Sequence, residues 1–135
     1  MTGGTTEYSE IVREHFRAPR NAGAFPPGTP QLLEGQAGDR RQGREISLTL
    51  RLDGAGRVAE CRYRVYGCPA TIALCSILSE RLKGRPLQEL RQPGGLALAE
   101  ELELPPAKRA AALLLEDALR AALARYNMTS RLETA

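Results

Sequence analysis

The sequence predicts an α+β fold, a small antiparallel sheet packed against several helices. Two observations carry that prediction. Residues 46–66 alternate apolar and polar side chains on both sides of a Gly-containing turn, the pattern of a half-buried hairpin. Residues 69–82 and 107–126 instead repeat apolar residues at helical spacing. Composition agrees: 135 residues, 42% of them hydrophobic, with a net charge of +3 describe an ordinary globular chain and exclude a disordered one. This length suits one domain. We expect a disordered tail at residues 1–5, a single domain over residues 6–127 and a C-terminal tail at residues 128–135.

Taken in order, Thr6 is placed to cap a first helix, with Glu7 and Glu10 in its early turns. Tyr8, Ile11, Val12, His15 and Phe16 share one face of it, and Ala18-Pro19 ends it. Residues 21–43 carry Gly, Pro, Asp and Gln and read as a long loop, with a short strand near Leu32. Ile46, Leu48, Leu50 and Leu52 alternate with Ser47, Thr49 and Arg51, so this segment is a half-buried strand. Asp53-Gly54-Ala55-Gly56 is a hairpin turn. In the next strand Ala59, Cys61, Tyr63 and Val65 face one way, while Glu60, Arg62 and Arg64 face the other.

Pro69 suits the first position of a helix, because the N–H it lacks would have no partner there. Leu74, Cys75, Leu78 and Leu82 form that helix's apolar side, and it ends near Lys83-Gly84. Short helices are expected at residues 86–90 and 96–102, with Pro105-Pro106 stopping the second. Ala and Leu dominate the last helix, residues 107–126, with Leu115, Leu119, Leu123 and Tyr126 in register.

Charge and cysteine content narrow the function classes. The chain has 19 Lys+Arg, of which only Lys83 and Lys108 are Lys, and no clustered basic stripe with interleaved aromatics. Nucleic acid is therefore not an expected partner. No apolar run approaches the roughly 20 residues of a membrane span, and the N-terminus lacks a signal-peptide layout, so a cytoplasmic protein without membrane attachment is expected. Three cysteines argue against a disulfide framework. Cys61, on the apolar face of a strand, and Cys75, on a helix among apolar neighbours, read as buried and inert. Cys68 differs. It stands at a strand-to-helix turn beside a helix N-terminus, where free N–H groups and the helix dipole stabilise a thiolate. The Cys-x6-Cys-x6-Cys spacing is not a zinc pattern, and the sole histidine, His15, lies in the first helix.

Several ordered motifs add a resemblance. Residues 8–25 read Tyr-Ser-Glu-Ile-Val-Arg-Glu-His-Phe-Arg-Ala-Pro-Arg-Asn-Ala-Gly-Ala-Phe, and Tyr66-Gly67-Cys68 stands at a strand end before a helix. Leu82-Lys83-Gly84 follows, then residues 100–117 with Leu104-Pro105-Pro106-Ala107-Lys108 and Glu116-Asp117. Over almost its whole length the chain resembles the iron–sulfur cluster assembly scaffolds of the IscU type, the domain that also forms the N-terminal part of NifU. The resemblance implies that fold, no enzymatic activity of its own, and a site where three cysteines, with a nearby Asp and His, converge on a 2Fe–2S cluster or zinc.

At the matching positions this sequence departs from the family. The first Cys-Gly-Asp motif falls on Gln42-Gly43-Arg44, so the cysteine position holds Gln42 and the aspartate position Arg44. After Lys108-Arg109, the histidine and last cysteine positions hold Ala110 and Ala111. Only Cys68 survives as a ligand. The expectation is a protein without a stable cluster or zinc of its own, one being held only if a partner supplies the missing ligands. In one reading Cys68 accepts persulfide sulfur from a cysteine desulfurase, helped by Arg44 and Lys108. In another, Leu104, Pro105, Pro106, Ala107 and Lys108 bind an Hsp70-type chaperone, or the chain pairs with an intact scaffold paralogue, as an adaptor or regulator. A third makes Arg40, Arg41 and Arg44 an anion-binding loop.

Overall fold

The computed structural model describes residues 8–91 and 95–134. Three antiparallel strands, β1 (Leu32–Asp39), β2 (Arg44–Leu52) and β3 (Val58–Tyr66), form one sheet in the order β1-β2-β3. Among the described residues four α-helices accompany it: α1 (Glu10–Arg17), α2 (Pro69–Leu82), α3 (Gly95–Glu101) and α4 (Arg109–Thr134). The register sets Leu48 between Gly35 and Tyr63, and Leu50 between Leu33 and Cys61. One sheet face is thus apolar. Ile46, Leu48 and Leu50 are fully buried there, each contributing about 1.5–3 kcal/mol by leaving water. Helices α2 and α4 cover this face, α1 packs on α2, and α3 packs on α4.

Helix α2 is buried nearly all round, from Ala70 and Thr71 through Ser79, because it lies between the sheet and α1. None of the described helices is long and apolar enough to cross a membrane. The outer edge of β3 is shielded: Ala22 makes a bridge to Tyr63, and Arg62 reaches the carbonyl of Ala24 and lies 4.7 Å over the Phe25 ring. Such cover removes an edge on which another chain could pair.

Several expectations need correction. Residues 32–39 form a full strand where a long loop with only a short strand was expected, because the ladder to β2 supplies what local propensity does not. In α1 only Val12 and His15 are buried; Ile11 and Phe16 are exposed, since a helix of two turns resting on α2 alone buries a narrow stripe. Its N-cap position is Ser9, and Thr6 lies outside the described residues. The short helix expected at residues 86–90 is present at Leu87–Arg91, wound as a 3-10 helix. Helix α4 begins at Arg109, after a 3-10 turn at Pro106–Lys108, and continues past Tyr126 to Thr134. Tyr126 is exposed, whereas Leu115 and Leu119 are buried.

Candidate functional site

The site is built where three connections meet at one end of the sheet. The first is the β1–β2 connection. Asp39 accepts the Arg41 amide at 2.9 Å, opening a 3-10 turn at Arg40–Gln42, and Gly43 closes it with φ of 91°, a left-handed conformation natural to glycine. The second is the β3–α2 turn. Cys68 takes the N-cap position of α2 with extended backbone and Pro69 follows at the first turn. The third is the 3-10 turn ahead of α4, which carries Lys108.

Together they enclose a cavity of about 140 Å³ lined by Gly43, Arg44, Cys68, Thr71, Ala107, Lys108 and Ala111. The Cys68 sulfur lies 3.3 Å from the Thr71 hydroxyl, itself on a residue only 2% exposed. Partial burial pushes the Cys68 thiol up. The Thr71 hydroxyl and amide, the Lys108 ammonium and the Ala70 amide more than offset this, so its pKa lies below the ordinary thiol value. The half-buried sulfur is therefore both reachable and inclined to ionise.

The other cysteines are of a different kind. Cys61 is buried under the sheet, and loss of solvent pushes its thiol up to about 12. Cys75 is buried on α2, and the same cause drives its thiol well above the ordinary value. Their reading as inert core residues agrees with these surroundings. His15 is also committed elsewhere. Its Nδ1 is 2.7 Å from the Ser76 hydroxyl and its Nε2 is 2.9 Å from the Arg20 guanidinium. Ser76 lies eight residues beyond Cys68 on α2, about 12 Å along the helix axis.

Of the residues singled out from sequence, the cavity brings together Arg44, Cys68, Ala107, Lys108 and Ala111. Gln42 and Ala110 are exposed and do not line it. Arg40 turns away, 5.6 Å over the Tyr66 ring and 3.6 Å from Glu45, and Arg41 does not line the cavity, so of the three arginines the cavity brings in Arg44. Leu104 is buried in the core, leaving Pro106 and Ala107 as the exposed part of the Pro-Pro segment. Thr71 was missed. Its signal was available: it stands three residues after the N-cap, the position whose side chain meets a capping group.

Chemically the cavity offers one thiol, one hydroxyl and two cations. Among the described residues no group of three or more His, Cys, Asp and Glu side chains could hold a metal ion. This donor set does not fit a 2Fe–2S cluster or a zinc ion, which want soft anionic ligands and no fixed positive charge beside them.

Comparison with known proteins agrees with this architecture. The NifU-like N terminal domain model matches residues 7–132. The chain is 37% identical over 119 residues to the iron-sulfur cluster assembly scaffold protein IscU of Escherichia coli K12, covering 88% of this chain and 93% of that one. It is 35% identical over 123 residues to iron-sulfur cluster assembly protein 2 of Arabidopsis thaliana, covering 91% and 76%. Among solved structures, a putative iron-sulfur cluster assembly scaffold protein for the SUF system from Fervidobacterium islandicum superposes with a TM-score of 0.69 at 17% identity, over 90% of this chain and 99% of that one. The N-terminal NifU-like protein of Brucella abortus gives 0.66 at 16%, over 89% and 94%. These structures share the fold. With its sheet, its helices and its cysteine-bearing turn accounted for, this chain belongs to the NifU-like N-terminal domain family, alongside the IscU scaffolds.

Proposed function

We propose that this chain acts in iron–sulfur cluster assembly as a cytoplasmic, scaffold-type protein that has given up the cluster-holding step and keeps a sulfur-accepting one. Residues 6–127 form its single functional domain. The observation that carries the reading is the cavity itself: one half-buried thiol against the Thr71 hydroxyl, faced by Arg44 and Lys108. Cations at that place oppose a metal ion and favour sulfur in anionic form. A cluster would need ligands from a partner, because a single thiolate is a quarter of a usual four-ligand set.

In the sulfur step the Cys68 thiolate attacks the outer sulfur of a donor persulfide, R–S–SH. A new S–S bond forms on Cys68, the donor's S–S bond breaks, and R–S⁻ leaves with the electron pair. No net oxidation occurs. The donor of this class is a cysteine desulfurase carrying its own persulfide. Incubation with desulfurase and free cysteine should add the mass of one sulfur atom to Cys68, and none to the Cys68→Ala chain. An unmodified Cys68 under conditions that load an intact scaffold overturns the reading.

A second reading rests on a different observation. Pro106 and Ala107 are exposed on the turn that borders the cavity, a presentation suited to docking an Hsp70-type chaperone or an intact scaffold paralogue. As a non-catalytic adaptor the chain would bind such a partner without its thiol. Binding that survives Cys68→Ala and is lost on changing Pro106 and Ala107 selects the adaptor over the sulfur acceptor.

A further inference from the structure

Arg44, at the start of β2, and Lys108, ahead of α4, come from distant parts of the chain and line one cavity. Among the described residues neither has a carboxylate partner. Two like charges facing a shared, partly enclosed space repel each other unless an anion joins them. The cavity, at about 140 Å³, is far larger than the ~10–15 Å³ that one water occupies, so it admits the end of a small molecule. Its remaining reactive wall is the Cys68 sulfur, and neither Cys61 nor Cys75 reaches it.

We propose that this cavity selects anionic disulfides, so that Cys68 is a site of mixed-disulfide formation with small carboxylate-bearing thiols. In the exchange, the Cys68 thiol gives its proton to water and its sulfur attacks one sulfur of R–S–S–R. A new S–S bond forms between Cys68 and that R–S group as the S–S bond of R–S–S–R breaks, and the other half, R–S⁻, leaves with the electron pair. One thiol and one disulfide enter, and one of each emerge, so the disulfide is the only oxidant required. Arg44 and Lys108 attract the carboxylate of the incoming molecule and stabilise the departing thiolate. This inference goes beyond the sulfur-acceptor reading and shares with it the accessible thiol and the two cations beside it.

The test uses the whole reduced chain and three disulfides: anionic dithiobis-nitrobenzoate, neutral dithiodipyridine and cationic cystamine. Each rate of Cys68 modification is divided by that of the same reagent with the neutral thiol N-acetylcysteinamide, and Cys68→Ala supplies the background. The anionic reagent should exceed the neutral one by about tenfold or more after this normalisation, with the cationic one slowest. The preference should shrink as ionic strength rises, and Arg44→Gln with Lys108→Gln together should abolish it. Equal normalised rates, a cationic preference, or a preference in the unsubstituted chain that salt does not alter overturns the proposal. The salt series needs no variant to fold. A Cys68 that takes no sulfane sulfur yet keeps the anionic preference removes the sulfur-acceptor reading and leaves this one standing.

Discussion

Three cysteines in one small chain have three environments, and their chemistry follows from where each sulfur lies. Cys68 is half-buried at a helix N-terminus, while Cys61 and Cys75 are within the core. Brief treatment of the native chain with iodoacetamide should therefore modify Cys68 alone, with the other two labelled only after unfolding, as peptide mass mapping would report. His15 makes a second residue-scale case. Burial chiefly, then the Arg20 charge, hold its pKa below the ordinary value near 6.5, against the pull of Glu80 and Glu14. Because the unfolded chain binds the proton more readily, this residue's contribution is complete above about pH 6.5 and is lost as pH falls through the lower folded value. Stability measured by denaturant titration should decline on acidification across that window, and His15→Phe should flatten the decline. From sequence, His15 was legible only as one member of an apolar helix face; its hydrogen bonds to Ser76 and Arg20 join residues 61 apart and five apart, and no local pattern announces the first.

At the scale of elements, β1 and α4 explain each other. A Cβ on Gly35 would run into the backbone at Ala118 and Ala122, so the glycine and the small residues of α4 let helix and strand approach closely. Gly35→Ala should therefore cost about 1–3 kcal/mol or more, read as a lowered denaturation midpoint without a changed slope, because the clash is with backbone that cannot rotate aside. The same residues hid the strand. Leu32–Asp39 reads Leu-Leu-Glu-Gly-Gln-Ala-Gly-Asp, which has neither β-branched residues nor clean alternation, and it becomes a strand only through pairing with β2. Strands β2 and β3 needed no such help, since Ile46, Leu48 and Leu50 on one and Cys61 and Tyr63 on the other alternate visibly and are all buried.

For the molecule as a whole, the cavity exists only because three connections converge. Changes at any one of them therefore act on the shared site. Rebuilding the ligand positions implied by the family, with Gln42→Cys, Arg44→Asp, Ala110→His and Ala111→Cys together, should convert a chain that stays metal-free on anaerobic purification into one that binds stoichiometric zinc. Metal analysis of the two chains side by side checks this, and zinc in the unsubstituted chain would show that the cations are no barrier. Restoring only Gln42→Cys should fail, because Arg44 keeps its positive charge on the cavity wall.

The sequence by itself determined the α+β class, the central hairpin, the Pro-initiated helix and the position of Cys68 at its start. Each of these is written locally, in alternation, spacing or a single capping position, and short-range sterics and hydrogen bonding suffice to read it. Tertiary structure alone decided the rest: that residues 32–39 are a strand, that His15 is held by Ser76 and Arg20, and that Arg40 turns to Tyr66 while Arg44 lines a cavity with Cys68. It also decided that Lys108, forty residues beyond Cys68, shares its cavity. The physical reason is common to all of them. A paired edge strand, a buried hydrogen bond and a shared electric field depend on distances between segments remote in sequence, and those distances are set only when the sheet and its helices close over one core.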